Sequence, residues 1–282
     1  MLATFVIGLR EGLEASLIVG IIAAFLGRHG RRDALRQVWV GVAAAVAICI
    51  AIGVVLQVVE QSLPQAQQEG LETVVGLFAV CMVTFMIIWM RGHARSMKGD
   101  LEGAAAAALA RGSANALVAM AFLAVLREGF ETAVFLLATF QASGNALLAA
   151  IGALLGIVVA VVIGYGIYRG GVRLNMARFF RITGLVLVLV AAGLVMTALH
   201  TAFEAGWIQF GQSRAMDLSW LVRPGTPVES LLTGVLGIQA YPTVIETLGW
   251  VIYAVPMLLF VAWPQRRSSA AKGERPTVSA QA

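Results

Sequence analysis

Charge is scarce in this chain. Only 12% of its 282 residues are Asp, Glu, Lys or Arg, against 60% hydrophobic residues. A water-soluble domain does not have that balance, whereas an integral membrane protein does. Lysine is scarcer still. Lys98 and Lys272 are the only two, and both fall outside the long apolar runs. A retinal-type Schiff base needs a lysine in the last span, so that class is excluded. The two cysteines, Cys49 and Cys81, lie in different apolar runs, far from any His–Cys cluster. They read as packing residues rather than a disulfide or a thiolate metal site. Of the three histidines, His29 and His93 fall in basic loops and read as solvated. His200 lies at the end of an apolar run with no obvious serine or cysteine partner, which argues against a membrane hydrolase. Alone, it reads as a capping or packing residue. The net charge of +5 is gathered in particular loops and reports topology, so nucleic-acid binding is not expected.

The apolar runs predict an all-α polytopic bundle of seven transmembrane helices. They run near Leu2–Leu26, Val38–Val59, Leu71–Met90, Asn115–Phe140, Ala146–Tyr168, Phe179–His200 and Glu246–Trp263. Basic residues follow the first helix (Arg28, Arg31, Arg32, Arg36) and the third (Arg91, Arg95, Lys98, Arg111). They also follow the fifth (Arg169, Arg173, Arg178) and the last (Arg266, Arg267, Lys272, Arg275). The loops 60–70 and 141–145 carry no Lys or Arg, and segment 201–243 mixes both signs. The positive-inside rule places the N-terminus outside and the C-terminus inside. No cleavable signal peptide is expected, because the first run has no basic residue ahead of it and is interrupted by charge.

That interruption is the most informative stretch. Leu9-Arg10-Glu11-Gly12-Leu13-Glu14 sits inside the first run, and Leu126-Arg127-Glu128-Gly129-Phe130-Glu131 repeats it inside the fourth. Each charge at the centre of a span costs roughly 2.5–3.5 kcal/mol on the insertion scale. Residues three and four apart share a helix face, so each motif presents two carboxylates and one guanidinium together. One copy could be a structural salt bridge between helices. Two copies, each with a spare carboxylate, favour a site. Four converging carboxylates suit a hard cation with oxygen ligands. Glu11, Glu14, Glu128 and Glu131 are therefore the candidate metal ligands, and Arg10 and Arg127 balance their charge when the site is empty.

The first helix runs inward and the fourth outward, with an odd number of helices between the motifs. This predicts a 3+3 inverted repeat: repeat 1 at about 1–92, repeat 2 at about 112–206, and a seventh helix outside it. An outer loop at 207–243, the last helix at 244–264 and a basic cytoplasmic tail at 266–282 complete the expected organisation, with 1–265 forming one membrane domain. Small residues recur every fourth position in three helices: Gly8, Gly12, Ser16 and Gly20; Gly41, Ala45, Cys49 and Gly53; Gly152, Gly156, Ala160 and Gly164. This spacing serves close helix packing in lipid. A partial third copy of the motif, Glu69-Gly70-Leu71-Glu72, has Gln68 where the arginine would be. With Glu204, and with Glu246 opening the last helix, it forms a candidate outer vestibule that gathers cations. The alternative is a set of solvated helix-end charges.

These residues resemble the oxidase-dependent iron permease family, which takes in fungal high-affinity iron permeases and bacterial EfeU-type permeases. The doubled R-E-G-x-E motif carries the resemblance. Trp89-Met90-Arg91, Gly170-Gly171-Val172-Arg173-Leu174-Asn175, Phe203-Glu204-Ala205-Gly206 and Gly237-Ile238-Gln239-Ala240-Tyr241-Pro242 extend it over nearly the whole chain. The resemblance implies an iron permease of the bacterial cytoplasmic (inner) membrane, with ferrous or ferric iron as transported substrate and no permanently bound cofactor. It implies no enzyme activity on this chain. A periplasmic cupredoxin-like iron-binding protein and a haem peroxidase are the implied partners. A carrier for manganese or lead, or a proton-coupled transporter using the same glutamates, stays open.

Overall fold

The computed structural model describes residues 1–28, 30–93, 114–141, 146–169, 175–222 and 236–263, and also 99, 103, 107, 226, 232 and 233. Seven long helices account for nearly all of these residues: α1 (Leu2–Arg28), α2 (Arg32–Ser62), α3 (Gln65–His93), α4 (Ala114–Gln141), α5 (Ala146–Tyr168), α6 (Met176–Glu204) and α7 (Val244–Ala262). Among the described residues there is no strand, only an isolated bridge between Arg214 and Thr243. His29, Arg95, Lys98, Arg111, residues 170–174 of the second resemblance motif and the tail 266–282 lie outside the described residues.

Five helices are long and apolar enough to cross a bilayer: α2, α3, α5, α6 and α7. The other two, α1 and α4, are equally long and carry the R-E-G-x-E charges. α2 begins six residues before its expected start, and α3 also six. Hydropathy marks the lipid-facing part of a helix, whereas the polar turns Arg32–Gln37 and Gln65–Gly70 continue the same hydrogen-bonded ladder beyond it. Glu69 and Glu72 therefore lie in the second turn of α3 rather than at its first residue, and Glu204 is the last residue of α6.

The helices pair across the chain rather than along it. α1 packs along α5, α2 along α4, and α3 along α6, with α7 against α6. The α1–α5 pair is parallel: Gly8 meets Ala153, Gly12 meets Ile157 and Ala160, and Ser16 meets Gly164. The α2–α4 pair is parallel too, with Gly41 on Val118 and Phe122, Cys49 on Gly129, and Gly53 on Ala133. At Gly156 the approach is backbone to backbone. A Cβ there would collide with the Phe5 carbonyl oxygen and come 2.7 Å from the Leu9 nitrogen. α3 and α6 are antiparallel, joined at one end by Thr73 Oγ1 and Thr201 Oγ1 at 2.7 Å. Beside α1 and α4 contact each other, smaller contacts join α3 to α4 and α1 to α6.

The two ends of the bundle differ in charge. Arg28, Arg31, Arg32, Arg36, Arg91, Arg169, Arg178 and Arg181 stand at one end, and Glu60, Glu69, Glu72, Glu204 and Glu246 at the other. The connection from α6 to α7 is not confined to the acidic end. Leu236 and Gly237 reach down to Gly193, so close that a Cβ on Gly193 would lie 2.8 Å from the Gly237 nitrogen. Gly193 sits eleven residues before the end of α6, about 16 Å into the bundle. Gly237 makes this turn at φ 67°. Its backbone is satisfied there, since Gly237 N donates to Thr233 O, Thr233 Oγ1 to Ile238 O, and Trp250 Nε1 to Leu236 O. Non-helical backbone is tolerated at depth when protein covers and pairs it. The expected outer loop at 207–243 thus contains a segment that re-enters the bundle.

Candidate metal centre

The two motifs meet. α1 and α4 bring carboxylate oxygens of Glu11, Glu128 and Glu131 to within 4.8 Å of one another, and all three residues are buried. Gly12 and Gly129 make this possible. Each lies one residue past the first glutamate of its motif and seats its helix on the parallel partner, Gly12 on α5 and Gly129 on α2. A Cβ at Gly129 would lie 2.6 Å from Cys49 Sγ. Glu14, one turn along α1, is within electrostatic reach of Glu131 and Arg127.

The arginines hold the second glutamates. Arg10 Nε lies 3.3 Å from Glu14 Oε1, and Arg127 Nε lies 3.0 Å from Glu131 Oε1. Arg127 also reaches Glu128 at 4.0 Å. Both guanidiniums rest on aromatic rings from the arginine-rich end, Arg10 on Phe180 of α6 and Arg127 on Trp89 of α3, each at 5.8 Å from the ring centroid. The copies differ in burial. Arg10's side chain is 1% exposed, Arg127's 52%. The Arg127–Glu131 contact is a hydrogen bond, whereas Arg10 Nε and Nη1 have no hydrogen-bond partner among the described residues. Neither Glu11 oxygen has one either. A buried carboxylate with both oxygens unmatched is expensive unless a ligand fills the place. The donor set is all carboxylate oxygen, which suits a hard cation.

A cavity of about 480 Å³ lies against this cluster between α1, α2 and α4. Its walls are apolar, and Glu11 and Glu128 are its acidic lining groups. Cys49 lines it as well, donating to the Leu126 carbonyl at 3.5 Å, in keeping with a packing role.

The acidic end gathers a second group. Glu69 lies beside Glu204, and Glu72 beside Glu60. Gln68 Nε2 donates to Glu72 Oε1 at 3.4 Å, so the residue in the arginine's place still serves its glutamate. His200 is more than a cap. Its Nδ1 lies 2.9 Å from Glu246 Oε1 and its Nε2 3.5 Å from Glu204. Glu246 also closes a capping box with Thr243 at the start of α7. Glu60, read from the sequence only as part of a loop, is buried at the end of α2, with Oε2 unpartnered among the described residues. Its signal was an acid directly after the end of a long apolar run. The sequence gives no sign that His200 joins α6 to α7. From Glu72 to Trp89 is 17 residues of α3, so this group stands about 25 Å along the helix from the level of Arg127.

Long apolar helices around a buried carboxylate cluster define an integral membrane protein of the transport class. The chain belongs to the iron permease FTR1 family, whose model matches residues 1–269. It is similar to the ferrous iron permease EfeU of Yersinia pestis, 42% identical over 271 residues, covering 95% of this chain and 96% of the relative. It is also similar to the protein of that name from Escherichia coli O157:H7, 41% identical over 273 residues, covering 96% and 99%. No solved structure matches the chain. The family resemblance read from the motifs is borne out, and the relatives are named as permeases, that is, transporters rather than enzymes.

Proposed function

We propose that the chain carries iron inward across the bacterial cytoplasmic membrane, with Glu11, Glu14, Glu128 and Glu131 binding the ion in passage. The observation that carries this reading is the convergence of Glu11, Glu128 and Glu131 oxygens within 4.8 Å at the crossing of two helices. Ferrous iron is the substrate suggested by the relatives' name. Any oxidation or reduction falls to other proteins, and the periplasmic cupredoxin-like protein and haem peroxidase are the proposed partners.

In this reading all seven helices span, with the N-terminus outside and the C-terminus inside. The sorted arginines and glutamates at the two ends support it. The packing supports the inverted repeat. Exchanging α1–α3 with α4–α6 turns the α1–α5 pair into α4–α2 and the α3–α4 contact into α6–α1, and each of these is present. Glu69, Glu72 and Glu204 then form the outer group that gathers cations.

The test is uptake by purified protein in liposomes, comparing ferrous, ferric, manganese and lead ions. Iron should be taken up in preference to the others. Glu11→Gln, nearly isosteric, should insert normally and lower uptake at least tenfold. Normal uptake by Glu11→Gln together with collapsed insertion would make the motif a scaffold. Glu69→Gln with Glu72→Gln should raise the iron concentration for half-maximal uptake and leave transport in place.

A further inference from the structure

Met90 and Arg91 of one resemblance motif and Asn175, the described end of another, come together away from the carboxylate cluster. A cavity of about 280 Å³ lies at the arginine-rich end of the bundle, lined by Arg10, Arg91, Asn175, Arg178, Phe180 and Arg181 together with apolar side chains. No carboxylate lines it among the described residues.

Its walls are built. Arg91 donates to the carbonyls of Phe260 and Trp263 and lies 4.2 Å over the Phe260 ring, which fixes the end of α3 to the end of α7. Arg181 donates to the Ala262 carbonyl at 2.5 Å. Asn175 caps α6, accepting from Arg178 N at 3.1 Å. The 29-residue helix α6 thus points its N-terminus, the positive end of its dipole, into the cavity. At the inner wall stands Arg10, 1% exposed, its Nε turned to Glu14 and its Nη1 unpartnered among the described residues. A buried guanidinium with an idle donor, a helix N-terminus and three further arginines around one space share a single complement. It is an anion with several oxygens.

We infer that this cavity binds a phosphate-type oxyanion, from free phosphate or from the phosphate of an anionic lipid headgroup. The consequence for transport rests on the inward direction proposed above. A cation leaving Glu11, Glu128 and Glu131 toward this end passes Arg10 and Arg127 and then enters a space ringed by arginine. With the cavity empty, that path is repulsive. A bound oxyanion neutralises the arginines and offers hard oxygen ligands to the departing ion.

The experiment uses the full chain in a maltoside detergent, which carries no phosphate, with no metal present. Binding is read from the thermal unfolding midpoint, which a ligand raises when it binds the folded state. Inorganic phosphate is titrated at constant ionic strength against chloride, and dioctanoyl phosphatidylglycerol is titrated separately. Arg178, on the exposed rim, supplies the variant. Arg178→Gln should weaken the effect at least tenfold, and Arg178→Lys should restore most of it. A saturable rise with phosphate assigns the free anion. A rise with the lipid alone assigns the headgroup. No rise with either, or an equal rise in Arg178→Gln, overturns the inference. Because iron is absent, none of these outcomes depends on whether the carboxylates carry it.

Discussion

Arg10 and Arg127 are the same letter in the same motif and occupy different surroundings. Arg10 is enclosed beside Glu14 and Phe180, while half of Arg127's side chain is open. Removing one partner of a buried pair strands the other charge and costs about 3–5 kcal/mol. Both removals strand a glutamate whose side chain is about one tenth exposed, but Arg10→Ala also empties a fully enclosed space, whereas half of Arg127's side chain is open. Arg10→Ala should therefore reduce the folded, inserted protein more than Arg127→Ala does. Quantifying monodisperse protein by fluorescence-detected size exclusion, for both variants expressed in parallel, checks this. Equal losses would mean that the burial difference has no energetic weight. The motif letters showed which residues share a helix face, because three- and four-residue spacing fixes that face; of the four expected carboxylates the structure brings Glu11, Glu128 and Glu131 together. The letters did not show which copy would be enclosed, because that depends on what Phe180 and Trp89 cover.

Helix partners were the least legible level. The runs 2–26 and 146–168 announced α1 and α5, and the stripes Gly8-Gly12-Ser16 and Gly152-Gly156-Gly164 announced close packing. Nothing in either stripe says that they face each other rather than the stripe Gly41-Ala45-Cys49-Gly53. Small residues specify distance and not partner. The structure supplies the partner, and with it a sharp contrast. Gly156→Ala drives a methyl group into the α1 backbone at Phe5 and Leu9, which no rotamer change relieves. Overpacking of this kind costs about 1–3 kcal/mol. Gly20→Ala, in the same register on α1, meets nothing within 4 Å. Alanine there should be neutral or stabilising, by up to about 1 kcal/mol from helix propensity. The thermal midpoint of the purified protein should fall for Gly156→Ala and hold or rise for Gly20→Ala. The re-entrant turn at Gly237 was illegible for a related reason. Its fit against Gly193 is a meeting of two glycines 44 residues apart, and no local pattern encodes it.

At the scale of the molecule, the sorting of charge between the ends was legible in the loops, since it depends only on composition. It makes a direct prediction about orientation. With Cys49 and Cys81 changed to alanine, a cysteine at Ser62 should react in intact cells with a membrane-impermeant thiol reagent. A cysteine at Arg31 should react only after the membrane is opened. The reverse pattern would invert the topology, and with it the direction in which the oxyanion cavity is met.

The cross-pairing of helices also has a consequence for how the protein is made. α1 is among the first segments to leave the ribosome, yet the helix it lies along is α5. The bond from Ser16 Oγ to the Ala160 carbonyl joins residues 144 apart in sequence. At synthesis rates of about 5–20 residues per second, that interval is about 7–30 s. Through it, a helix carrying Arg10, Glu11 and Glu14 waits in or beside the bilayer without its lifelong neighbour. The ion pair between Arg10 and Glu14 joins residues four apart within α1, so it needs no later helix to form and offsets part of the cost of those charges in the interval.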